Sequence, residues 1–111
     1  MLAGNIPRSD GEGCDMKAYL VLDFEVTDYV GFRKYVAEIP AHISRHGGHY
    51  IVRGVEPTVM EGDWKPPRLV ILEFPECSNA KAYLADPDIQ DLFKARHETT
   101  ISKLILVEGC T

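Results

Sequence analysis

The sequence predicts an α+β domain of ferredoxin-like βαββαβ order, a four-stranded antiparallel sheet with its helices on one face. Three observations carry that expectation. Residues 18–26 alternate apolar and polar side chains, an amphipathic helical pattern follows, and a strand–helix–strand pattern returns in the second half of the chain. At 111 residues the chain is long enough for one hydrophobic core and too short for an independent second lobe.

The opening stretch MLAGNIPRSDGEGCD carries three glycines, a proline and no periodicity. Residues 1–15 are therefore expected to form an N-terminal extension outside the core, and residues 16–111 the folded domain. In AYLVLDFEV, Leu20, Leu22, Phe24 and Val26 share one strand face and Tyr19, Val21, Asp23 and Glu25 the other. Thr27 or Asp28 can cap the helix that follows, whose apolar positions Phe32, Tyr35, Val36, Ile39 and Ile43 fall at three- and four-residue steps. Pro40 predicts a kink or break in it, and Gly47-Gly48 its end. HYIVRGV is the second strand, with TVMEG a bent continuation after Pro57 and GDWKPP a loop. RLVILEF is the third strand, closed by Pro75. Ser78 caps a short helix bearing Ala80, Tyr83 and Leu84, and Asp86-Pro87 restarts a helix whose stripe is Ile89, Leu92 and Phe93. KLILVEG is the last strand.

Composition narrows the function classes. Apolar residues make up 45% and charged residues 26%, within the globular range, and the net charge of -5 leaves no basic stripe for nucleic acid or an anionic membrane surface. No apolar run is long enough to span a bilayer. Cys14, Cys77 and Cys110 are odd in number and lack C-x-x-C spacing, so a reducing cytoplasm is the expected location. Neither a phosphate-binding glycine loop nor a nucleophile elbow occurs, and no cofactor is expected.

LVIL in strand three and LILV in strand four are continuous apolar runs, the mark of burial on both sheet faces. Helices in this topology cover one face. A second copy is the economical cover for the other, and a homodimer is predicted.

The segments AYLVLDFEVTD, HGGHYIVRG, EGDWKPPRLVILEFP, DPDIQ and ISKLILVEG, in that order, resemble the small bacterial family called domain of unknown function 1330, within the dimeric α+β barrel superfamily. The resemblance runs from Met16 to Gly109. It implies a ferredoxin-like subunit whose sheet packs on its partner's, with a small cavity near each sheet. Superfamily relatives include cofactor-free monooxygenases, isomerases, haem-degrading enzymes and plain binding proteins, so the family name carries no reaction with it. Ile89 stands where the family more often has an aromatic residue, and the histidines flanking Gly47-Gly48 are not a family feature.

Charged residues on otherwise apolar stripes are the candidate site. Asp23 lies inside strand one on the face turned toward a second sheet, where a buried carboxylate must be paired or protonated. Its candidate partners are Arg53, Arg68 and Arg96, the last falling three residues after Phe93 on a helix stripe that should face the sheet. Asp23, Arg53 and Arg96 are the expected polar, catalytic centre of a pocket between sheet and helices, with Tyr19, Glu61, Trp64, Arg68 and Glu73 as ligand-binding residues. Such a set suits an acidic or carbonyl compound, bound or turned over without a cofactor. The alternative is an ion-pair network that only stabilises a dimer. Trp64 is a candidate lid. His42, His46 and His49 are weak candidates for a metal, being spaced around a helix end without an evident fourth ligand. Cys77, near a helix N-terminus but without a base beside it, is read as inert.

Overall fold

Burial of one face of each element organises the chain, as seen in a computed structural model that describes residues 16–111. The expectation for residues 1–15 lies outside the described residues. In chain order the elements are β1 (Ala18–Val26), α1 (Tyr29–Arg45), β2 (His49–Val55), β3 (Arg68–Phe74), α2 (Cys77–Ala85), α3 (Gln90–Thr99) and β4 (Thr100–Glu108). The sheet is antiparallel in the order β2-β3-β1-β4, the ferredoxin-like arrangement predicted.

β1 is a central strand, paired with both β3 and β4. Leu20 stands opposite Leu72 and Leu106, and Val21 opposite Ile71 and Ile105. Directly opposed residues in an antiparallel pair share a face. Leu20, Leu22, Phe24, Leu72 and Phe74 therefore meet the helices, and all five are buried. They pack with Tyr35, Ile39 and Ile43 of α1, Ala80 and Tyr83 of α2, and Leu92 and Phe93 of α3. The opposite face carries Val21, Leu69, Ile71, Ile105 and Val107, and no element of the described chain lies over it as a layer.

Two register shifts in β2 set where its side chains point. Tyr50 pairs with Leu72 and Val52 with Ile71, so Ile51 is a bulged residue. A second shift between Arg53 and Val55 leaves Gly54 bulged, in the left-handed region at φ 76°. Each bulge reverses the alternation, and both Tyr50 and Arg53 end on the helix side.

The helix ends follow local chemistry. The Asp28 carboxylate accepts the Gly31 N–H at 3.1 Å, capping α1. At its other end Gly47, with φ 82°, lets its N–H reach the Ser44 carbonyl while the Gly48 N–H reaches that of Ile43. Pro40 does not break α1. Ile39 and Ile43, on either side of it, are both buried, and their packing holds the helix continuous despite the missing N–H. Three further expectations are corrected. β2 stops at Val55 and TVMEG continues no strand. α2 starts at Cys77, ahead of Ser78. α3 starts at Gln90, Asp86 serving instead as the centre of the turn before it.

That turn is tied to the end of α1. Asp86 sits 2.7 Å from His46 Nε2, accepts the Asp88 N–H at 2.9 Å and lies 3.2 Å from the Arg45 guanidinium. The His46 contact foremost, then the Asp88 N–H, hold the Asp86 carboxyl down to about pKa 2 from 3.8. A folded-state pKa below the unfolded value means that this stabilisation is complete above about pH 4 and lost as pH falls toward 2. The melting-temperature deficit of Asp86→Ala relative to wild type is accordingly expected to be largest at pH 5–7 and to shrink toward zero near pH 2; a deficit independent of pH would contradict the tie.

Candidate functional site

Between α1 and the helix side of the sheet lies a cavity of about 380 Å³. Leu20, Leu22, Phe24 and Leu72 form its floor, Phe32, Tyr35, Ile39 and Ile43 of α1 its roof, and Tyr83 and Phe93 its far wall. The aromatic rings contact one another: Phe24 and Phe32 have centroids 5.8 Å apart, Phe32 and Tyr35 5.4 Å, and Tyr83 and Phe93 5.4 Å in an edge-on arrangement. The walls are thus largely apolar and aromatic, and the volume lies in the range of small-molecule sites.

The charged lining has one sign. Arg33, Arg53, Arg68 and Arg96, four of the chain's six arginines, line the cavity, and among the described residues no aspartate or glutamate does. Arg33, Arg53 and Arg68 are exposed at its rim; Arg53 stacks 4.4 Å from the centre of the Tyr50 ring, and Arg68 donates to the Gly54 carbonyl at 3.2 Å. Arg96 is 5% exposed. Its guanidinium lies 5.5 Å from the Phe93 ring centre and 5.9 Å from that of Tyr35, contacts that partly compensate its burial. Burial pushes the Tyr35 hydroxyl up to about pKa 12 and raises Tyr83 too, so both remain neutral hydroxyls at physiological pH.

The expected centre of Asp23, Arg53 and Arg96 does not assemble. Asp23 belongs to the odd-numbered face of β1, opposite the cavity, where its Oδ2 accepts the Trp64 indole N–H at 2.9 Å. Arg53, Arg68 and Arg96 do share the cavity. Tyr19 and Glu73 lie on the far side with Asp23: the Tyr19 hydroxyl donates to Glu73 at 2.9 Å, and His49 and Lys17 approach the same carboxylate at 3.2 and 3.7 Å. Glu61 is exposed on the loop and takes no part in the lining. Trp64 packs toward Asp23 on the opposite side and does not cover the cavity.

The histidines part company as well. His46 goes to Asp86 and His49 to Glu73, while Nδ1 of His42 is buried without a hydrogen-bond partner. Among the described residues no three metal-ligating side chains cluster. Cys77 takes part in a disulfide, so no thiol chemistry arises there. The aromatic lining is the part of the site that sequence pattern did not single out. Tyr35 and Tyr83 resemble ordinary core positions, yet a tyrosine on a buried stripe needs somewhere for its hydroxyl to go, and that signal was available.

Because Asp23 is tied to Trp64 and remote from the cavity, Asp23→Asn is expected to shift the fluorescence of Trp64, the chain's one tryptophan, and to change stability by on the order of 1 kcal/mol. Small-molecule uptake by the cavity should be unaffected. Loss of uptake in this variant would put Asp23 back in the site.

The comparisons agree with this architecture. Residues 17–110 match the family described as Domain of unknown function (DUF1330). None of the curated proteins compared matches the chain. Among solved structures, a protein of unknown function from Rhodopseudomonas palustris is similar at a TM-score of 0.70 and 15% identity, over 87% of this chain and 85% of that one. SnoaB, a cofactor-independent oxygenase from Streptomyces nogalater, is similar at 0.62 and 20%, over 86% and 95%. A putative antibiotic biosynthesis monooxygenase from Nitrosomonas europaea is similar at 0.50 and 11%, over 88% and 93%. At these identities the likeness is one of fold. With the family match spanning nearly all the described residues, the chain belongs to the DUF1330 family.

Proposed function

We propose that this protein is the subunit of a homodimer that binds a small organic molecule in the cavity between its helices and its sheet. The observation that carries the reading is the cavity itself, about 380 Å³ walled by apolar and aromatic side chains with a few polar groups converging on it. A core packed to ordinary density has no such space. The described lining includes no carboxylate, histidine, lysine or thiol, and the tyrosines are held neutral by burial. These walls suit binding better than acid–base catalysis. A reaction without a cofactor, of the class named for SnoaB, would need a substrate that arrives already ionised.

The homodimer reading rests on the uncovered sheet face. Ile101, Ile105 and Val107 of β4 and Val55 of β2 are exposed there beside Val21, Leu69 and Ile71, too apolar a surface to leave in water. A twofold axis would let this face bury its own copy. An ion-pair network as the sole purpose of the charged residues lacks its acidic member on the cavity side. The expected cytoplasmic location belongs to the same proposal and rests on composition; the Cys77 disulfide argues against it. Among the described residues no helix is long and apolar enough to cross a membrane.

Light scattering is expected to give about twice the 12.4 kDa chain mass, and Ile105→Glu to shift it to the monomer value. A wild-type monomer at micromolar concentration would sink the dimer. Native mass spectrometry of gently purified protein is expected to show a small organic species at one per subunit. If the cavity took up no member of a fragment library in ligand-observed NMR, the binding reading would fail.

A further inference from the structure

Arg96 presents a problem that the fold does not solve. It comes from the last turn of α3, where a cation meets the helix dipole favourably, but its side chain is buried in the wall of the cavity. Its Nε is fully buried without a hydrogen-bond partner, and its Nη2 has only a long 3.4 Å contact to the adjacent His97 ring. Among the described residues no carboxylate lies within ion-pair distance of it. Buried cations are ordinarily paired, because stripping water from one without replacing it is strongly unfavourable. The Phe93 and Tyr35 rings supply part of the compensation and leave Nε without a partner. Nε and Nη2 together form the edge that a carboxylate grips with two parallel hydrogen bonds.

We infer that the occupant of the cavity is an apolar organic monoacid, a carboxylate or enolate, bound with its charged oxygen on Arg96 at the buried end. This deepens the binding role proposed above and rests on it. One guanidinium at depth matches one negative charge. Tyr35 and Tyr83, neutral and close by, add hydroxyls without adding a competing anion. The apolar body of the ligand lies against the Phe24, Phe32 and Phe93 rings. Arg33, Arg53 and Arg68 at the rim give the mouth a positive potential on a chain whose net charge is -5, which draws anions to this opening in preference to the rest of the surface.

The test compares two probes of nearly the same shape, 2-naphthoate and its uncharged amide 2-naphthamide, by calorimetric titration of the intact protein at pH 7.5. Wild type is expected to bind the naphthoate about tenfold or more tightly than the amide, the effect of a charge-assisted pair. Arg96→Met, which keeps an apolar side chain of similar length, should lose about that factor for the naphthoate and little for the amide. Arg96→Lys, which keeps the charge without the paired N–H edge, should fall between. Circular dichroism melting of each variant guards against unfolding, and the wild-type comparison of the two probes needs no variant. Equal affinity of both probes for wild type would mean that solvent serves Arg96, overturning the inference while leaving the binding role intact. Full naphthoate affinity in Arg96→Met would overturn it in the same way. Failure of both probes to bind wild type would overturn the inference together with the binding role.

Discussion

The alternation of β1 is the constraint on which the rest of the structure depends. This strand is hydrogen-bonded on both edges, to β3 and β4, and its register assigns every residue across the sheet to one of two faces. Even-numbered Leu20, Leu22 and Phe24 build the cavity floor; odd-numbered Tyr19, Val21 and Asp23 look the other way. A slip of one residue would exchange the two sets. The buried apolar cluster on the helix side makes such a slip prohibitive.

Segregation of charge follows from that register. Asp23, Glu25 and Glu73, the carboxylates of the inner strands, fall on the uncovered face, where Trp64 serves Asp23, and Tyr19, Lys17 and His49 serve Glu73. Arg33, Arg53, Arg68 and Arg96 fall on the cavity side. Had one carboxylate pointed inward, Arg96 would have an internal partner and the cavity would be a closed salt bridge. Its absence from the described lining turns a structural cation into a recognition element, while burial keeps the Tyr35 and Tyr83 hydroxyls neutral.

Much of the fold was legible in the sequence because it depends on local periodicity. Leu20, Leu22 and Phe24 of β1 and Tyr35, Ile39 and Ile43 of α1 are buried where the pattern put them, while Val36 of the same stripe is exposed. Arg96 was legible for the same reason, as a charge on a stripe that faces the sheet. The site as a constellation was not. Strict alternation cannot foresee the bulge at Ile51, which puts Arg53 on the helix side with Tyr50, or that at Gly54, which returns Val55 to the opposite face. Nor does local pattern reveal that the loop after β2 brings Trp64 to Asp23, or that His46 and His49, three residues apart, reach carboxylates in different parts of the molecule. Pro40 is the converse case, a strong local signal overruled by the packing of Ile39 and Ile43.

Whether the buried guanidinium is where an anion binds decides the role of the cavity. The most direct measurement is the arginine Nε–Hε region of a ¹⁵N–¹H NMR spectrum during titration with 2-naphthoate, the Arg96 signal being assigned by its loss in Arg96→Lys. Anion binding at Arg96 predicts a progressive, saturable shift of that signal, with none on titration with 2-naphthamide. A naphthoate titration that moves only the rim arginines, or none, would contradict it.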